Sequence, residues 1–284
     1  MTISPLPLKG LSDLVSDYQV LLCDIWGVLH NGVAAWPSAV DALTQARAAG
    51  LQVILVSNAP RPNPTVREQL DRLGMPASAY DDIVTSGDVT RKLFTTTHKG
   101  AKVSHIGPEK DKPLVEGLPV TFTSDAEAEV CLCSGLIDDQ TEGPEDYRAQ
   151  LEALAARNIP LVCANPDKVV EMGGRLIYCA GSLADLYQEL GGETIILGKP
   201  HAPIYQAALE MAGNPDLSKV LGLGDSIRTD MRGAAEQGFD CIFFTGGIHA
   251  EEFGPSTAPN GKKVAAFLRD VPYPAKAWMA RLSW

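Results

Sequence analysis

The sequence predicts an α/β protein in which a parallel sheet carries helices on both faces and a second α/β domain is inserted into the first. Three observations carry that expectation. Apolar, β-rich runs alternate with helical stretches at both ends of the chain, the order of a parallel sheet with crossover helices. The middle of the chain has strands and helices of its own. Polar residues capable of chemistry stand directly after several apolar runs, where parallel sheets bind their ligands.

The elements follow in order. YQVLLCD (18–24) is an apolar strand. SAVDALTQARAAG (38–50) reads as a helix that opens on Ser38 as N-cap and closes on Gly50. LQVILVSN (51–58) is the next strand, APRPNP (59–64) a proline-rich turn and TVREQLDRLG (65–74) a helix. Residues 100–194 then supply the strands AKVSHIG, AEVCLCSG, IPLVCANP and RLIYCAG and the helices GPEDYRAQLEALAARN and SLADLYQELGG. KVLGLGDS (219–226), RGAAEQG (232–238) and FDCIFFTGG (239–247) return to the strand–helix–strand pattern. Residues 1–99 and 195–284 are therefore assigned to a core domain, and 100–194 to an inserted domain. STAPNGKK (256–263) reads as a surface loop. The C-terminal YPAKAWMARLSW (273–284), with three aromatics, is expected to pack on the core, with a homodimer contact as the alternative.

Composition narrows the partners. At 45% hydrophobic and 21% charged, the 284-residue chain has the balance of an ordinary globular protein. A formal charge of −11 repels nucleic-acid backbones and anionic membrane surfaces, so neither is expected as a partner. No apolar run approaches the roughly 20 residues needed to span a bilayer, and MTISPLPLKG lacks the basic start and apolar stretch of a leader. A cytoplasmic location is expected. Cys23, Cys131, Cys133, Cys163, Cys179 and Cys241 all lie in or beside apolar stretches, with no His or second Cys pair completing a zinc site, and read as reduced core residues.

Asp24, Ser57 with Asn58, and Asp225 each follow an apolar strand directly. If those strands are parallel neighbours, the residues converge on one crevice. Two carboxylates there repel unless a cation sits between them, which points to a hard metal such as Mg²⁺. Lys199, after another short strand in ILGKPHAPIY (196–205), would add positive charge, and an anionic substrate fits the combination. Taken singly, each has an ordinary reading: a turn or helix cap for the acids, a turn for Ser57 and Asn58, a solvated side chain for Lys199. Their order along the chain favours the functional one.

CDIWGVLHNG, AWPSAVDAL, VSNAPRP, LGKP and GLGDSIRTDMRGAAEQG together resemble the motifs of the haloacid dehalogenase (HAD) superfamily, class IIA, a group of phosphatases that includes NagD-like proteins. The resemblance covers nearly the whole chain and implies a Rossmann-like core with a C2-type α/β cap. It implies that Asp24 is the nucleophile that forms an aspartyl-phosphate. Mg²⁺ would be held by Asp24, the main-chain carbonyl of Trp26 and Asp225, with Asp230 ordering water on the metal. Ser57 and the backbone at Asn58 would bind phosphoryl oxygens, and Lys199 would offset their charge. The substrate would be a small phosphorylated metabolite.

The sequence departs from the family at Trp26, where its phosphatases usually place a second Asp as acid/base. An indole N–H donates a hydrogen bond but has no useful basicity. Such acid/base help is worth about 10²- to 10⁴-fold in rate. Slow turnover, a long-lived phospho-aspartate or recruitment of another group is therefore expected. His30 is the nearest candidate, with His201 second; His30 is also a substrate-binding candidate, although it reads equally as a loop residue bonded to its own turn. CANPDKV (163–169) resembles the family's Asn-Pro-Asp loop, which makes Asn165, Asp167 and Lys168 substrate-binding candidates, or simply a turn. A non-catalytic sensor of a phosphorylated metabolite is the alternative function. A dinucleotide-binding protein is disfavoured because no G-x-G-x-x-G follows the first strand.

Overall fold

The computed structural model describes residues 5–172 and 175–284. The first four residues of MTISPLPLKG lie outside them. The strands are β1 (Leu6–Pro7), β2 (Val20–Cys23), β3 (Gln52–Ser57), β4 (Asp82–Thr85), β5 (Lys102–Ile106), β6 (Thr121–Phe122), β7 (Val130–Cys133), β8 (Leu161–Cys163), β9 (Val169–Met172), β10 (Arg175–Tyr178), β11 (Thr194–Ile196), β12 (Val220–Gly224), β13 (Asp240–Phe244) and β14 (Ala277–Met279). The first helices are α1 (Pro37–Ala48), α2 (Asn63–Leu73), α3 (Ser86–Thr95) and α4 (Lys112–Val115). They are followed by α5 (Arg148–Ala156), α6 (Ala180–Glu189), α7 (Ala202–Met211), α8 (Arg232–Gln237), α9 (Ala250–Phe253) and α10 (Gly261–Asp270). The chain divides into two compact units, one of Met1–Ser57, Arg67–Val84 and Tyr205–Trp284, the other of Asn58–Val66 and Thr85–Ile204. Among the described residues, no helix is long and apolar enough to cross a membrane.

The first unit is built on a seven-stranded sheet in the order β1-β14-β13-β12-β2-β3-β4. Its central strands are parallel, with Cys23 opposite both Leu223 and Leu55. Every residue of β2 and β12 is buried, which is why both read as unbroken apolar runs rather than alternating ones. Helix α1 buries Ala39, Ala42, Leu43 and Ala46, a stripe at helical spacing.

The second unit has a five-stranded sheet in the order β11-β8-β7-β5-β6, parallel throughout, and a separate antiparallel pair, β9 with β10. Cys131, Cys133 and Cys163 sit in its core beside Leu151, Leu183 and Tyr187. All six cysteines are buried. Thr85 and Asp88 form a reciprocal capping box at the start of α3.

Several local details differ from the sequence reading. Helix α1 opens at Pro37, with Trp36 at the N-cap position and no side-chain cap, so Ser38 is not the cap. The proline presets the first helical φ and leaves no unsatisfied N–H. Gly50 does take the left-handed conformation just beyond the end (φ 93°). Residues 256–263 are a loop only in part, because Asn260 accepts the N–H groups of Lys262 and Lys263 and starts α10. The C-terminal segment forms a strand of the sheet: β14 pairs with β13 and with β1, and Leu282 is fully buried. Strand β11 pairs with β8, so residue 194, where the sequence divides the domains, lies inside a strand of the five-stranded sheet.

Candidate active site

Adjacent parallel strands set the geometry of the acidic centre. With Cys23 opposite Leu223 and the Asp24 N–H donating to the Leu223 carbonyl at 2.8 Å, Asp24 and Asp225 emerge beside one another at the carboxyl edge of the first sheet. Asp230 joins them by way of a five-residue π-helical turn, Ile227–Met231. The N–H groups of Asp230 and Met231 both donate to the Ser226 carbonyl at 3.1 Å, and the Ser226 N–H returns to Asp230 Oδ2 at 3.3 Å. The wider turn folds residue 230 back over the strand end that carries residue 225. Asp24, Asp225 and Asp230 each offer a carboxylate oxygen, and these atoms all lie within 4.8 Å of one another.

All three acids are nearly buried, at 9%, 5% and 7% exposure. At an effective dielectric constant of about 20, two unit charges at that separation repel by at least about 3 kcal/mol. Backbone donors offset part of this: Ile25 N–H to Asp24 Oδ1 at 2.7 Å and Ile248 N–H to Asp225 Oδ2 at 2.8 Å. Three oxygen donors in one small volume suit a hard divalent cation. Ser57, 3% exposed, ends β3, the strand on the other side of β2.

Asn58, Lys199, Asn165, Asp167 and Lys168 belong to the second unit. The Asn58 side chain bonds three times, donating to Asp167 Oδ1 at 2.9 Å and to the Lys199 carbonyl at 3.1 Å, and accepting the Lys199 N–H at 2.7 Å. It therefore ties two loops together, and Lys199 is held 3% exposed beside it. Asn165 Oδ1 accepts the Asp167 N–H at 3.1 Å, the turn chemistry that Asn-Pro-Asp supports on its own. Lys168 is about half exposed and pairs with Asp185. The backbone N–H of His201 donates to the Gly198 carbonyl at 2.9 Å.

Residues 21–120 match a family model described as haloacid dehalogenase-like hydrolase, and residues 196–271 match one described as HAD-hydrolase-like. A solved hydrolase of the haloacid dehalogenase-like family from Brucella suis 1330 is 44% identical, covering 97% of this chain and 99% of its own, with a TM-score of 0.84. The chain belongs to the haloacid dehalogenase-like hydrolases. Within that family it groups with class IIA phosphatases. A 5′-nucleotidase, YutF, from Bacillus subtilis (strain 168) is 25% identical over 83% of this chain and 90% of its own length. A glycerol phosphate phosphatase from Mycobacterium tuberculosis, solved in complex with magnesium, is 24% identical over 83% of this chain and 70% of its own, with a TM-score of 0.67.

The loop after β2 is closed by two rings. Trp26 pairs with His30 in an isolated bridge, and the two rings meet edge to face with centroids 4.8 Å apart. The indole also lies against Gly32, whose backbone (φ 87°) leaves no room for a Cβ beside it. His30 is 1% exposed, and its Nδ1 accepts the Gly32 N–H at 3.0 Å, which places any ring proton of the neutral form on Nε2. Burial lowers its pKa from 6.5 to about 4. With Nδ1 engaged by its own turn and an N–H at Nε2, the neutral ring has no open lone pair with which to take a proton. The bond fits the reading of His30 as a loop residue. Sequence reasoning missed the N–H of Ile248 on Asp225, for which the only signal was the Gly-Gly pair after β13.

Proposed function

We propose that this HAD hydrolase is a Mg²⁺-dependent phosphomonoesterase that acts on a small phosphorylated metabolite through a phosphorylated Asp24. The observation that carries the reading is the meeting of the Asp24, Asp225 and Asp230 carboxylates within 4.8 Å. Asp24, Asp225 and the Trp26 carbonyl would hold the ion, with Asp230 beside them. When bound, the ion would offset the charge of the phosphoryl group and of the attacking carboxylate. Asp24 attacks phosphorus in line, the bond to the leaving oxygen breaks, and water then hydrolyses the aspartyl-phosphate to free phosphate. Ser57, the backbone at Asn58 and Lys199 are assigned to the phosphoryl oxygens, and Asn165, Asp167 and Lys168 to the leaving group. The printed names of the nucleotidase and the glycerol phosphate phosphatase support a small phosphomonoester, and the magnesium in the latter's structure supports the ion.

Hydrolysis of 4-nitrophenyl phosphate tests this. Activity should require Mg²⁺, vanish with EDTA and fall at least about 10³-fold in Asp24→Asn, with circular dichroism unchanged. Activity that survives chelation, or a fully active Asp24→Asn protein, refutes the reading. A panel of phosphorylated metabolites then ranks the substrates. Trp26 and the neutral His30 favour one variation, a protein that binds its phosphorylated ligand as a sensor and turns it over slowly. Steady hydrolysis of an alkyl phosphate at an ordinary phosphatase rate would exclude it.

A further inference from the structure

We propose that the loop following β13, Thr245–His249, is a positioning device for the metal-site carboxylate of Asp225, acting through Gly247 and the Ile248 backbone N–H. The inference rests on the metal reading above and adds residues that lie outside the motifs quoted for the family. Two glycines from separate loops flank one oxygen. A Cβ built on Gly27 (φ 76°) or on Gly247 would lie 1.8 Å from Asp225 Oδ2, so both backbones press on the carboxylate as no other residue could. Between them the Ile248 N–H donates to the same Oδ2 at 2.8 Å. One oxygen of Asp225 is thereby fixed by backbone on three sides, and the plane of the carboxylate is set before any ion arrives.

The loop is itself anchored. Thr245 and Gly246 donate their N–H groups to the carbonyls of Met279 and Ala280 at 2.9 Å, extending the β13–β14 pairing past the strand ends. His249 bonds Glu252 at 2.7 Å, and its ring lies 5.3 Å from that of Phe267 and 6.0 Å from that of Phe243. Phe253 packs edge to face on both phenylalanines. This aromatic cluster holds the start of α9, and with it residue 248, against the sheet edge. A donor held in that way needs no reorganisation when the carboxylate takes up a cation, so it favours the ligating geometry over rotated alternatives.

The test is Mg²⁺ binding by isothermal calorimetry, with no substrate present, on wild type, Gly247→Ala, Ile248→Pro and Asp225→Ala. Gly247→Ala adds the clashing Cβ and Ile248→Pro removes the donor. Each should raise the Mg²⁺ Kd by about ten- to a hundredfold, the range for losing a hydrogen bond to a charged group. Amide hydrogen exchange on the wild-type protein gives a measurement that no misfolded variant can confound. The Ile248 amide should exchange far more slowly than the amide of the exposed Thr257. Wild-type Mg²⁺ affinity in both loop variants, or a fast-exchanging Ile248 amide, overturns the proposal while leaving the metal site intact. Wild-type affinity in Asp225→Ala instead overturns the metal reading on which it rests.

Discussion

Acid should loosen the loop after β2 through His30. The ring is buried, and that burial holds its pKa at about 4 in the folded chain, whereas an unfolded chain titrates it near 6.5. Between those values the unfolded state carries a proton that the folded state does not. The stability His30 supports is therefore complete above pH 6.5, falls as the pH drops toward 4, and changes little below that. The slope reaches about 1.4 kcal/mol per pH unit, which amounts to about 2 kcal/mol between pH 7 and pH 4.5. Urea unfolding of wild type and of His30→Gln at both pH values measures it. Each protein is compared with itself, so carboxylates common to the two cancel and the extra loss in wild type belongs to the histidine. Equal losses in the two proteins would mean that His30 titrates alike in both states, and the account of a neutral, buried ring would be wrong.

Trp26→Asp should raise steady turnover of alkyl phosphates by about 10²-fold while changing aryl phosphates less, because only poor leaving groups need the proton; rapid-quench kinetics should show wild type giving a burst that the variant lacks. Lys199→Ala should raise KM for phosphomonoesters and leave the thermal unfolding midpoint within a few degrees of wild type, read by steady-state kinetics and calorimetry. Thr85→Ala removes the hydroxyl that accepts the Asp88 N–H at 2.9 Å, and should cost about 1 kcal/mol in urea unfolding.

Strand-end chemistry was the most legible part of the site. Asp24 and Asp225 lie about 200 residues apart in sequence, but a carboxylate directly after a fully apolar run has few places to go in a parallel sheet. The register of β2 with β12 then makes them neighbours. Asp230 was legible as a motif residue but its route was not, because a π-helical turn has no composition of its own. Asn58 shows another limit. Its amide reaches residues 167 and 199, and no pattern near position 58 announces bonds across that distance. Strand β11 shows a related limit: three residues of β-branched sequence do not say which of two sheets they will join, and the partner, β8, decides it. The C-terminal strand was hidden by two prolines nearby and by its brevity, so its aromatics read as a packing patch.

Position 26 separates what the family resemblance implies from what this chain can do. The indole fills the loop, edge to face with His30 and against a glycine that admits no Cβ beside it. What it gives up is a proton carrier, and the neighbouring ring is badly placed to replace it, since its Nδ1 lone pair already accepts the Gly32 N–H. In the proposed mechanism, formation of a phosphorylated Asp24 would depend on nucleophile, cation and leaving group, so good leaving groups could support it without a proton donor. Hydrolysis of that intermediate would need an activated water, which neither the Trp26 indole nor the His30 ring, with its Nδ1 engaged, is placed to supply. The two half-reactions are thus unequally provided for. On this geometry the phosphorylated enzyme, rather than the substrate complex, is the species expected to accumulate during turnover.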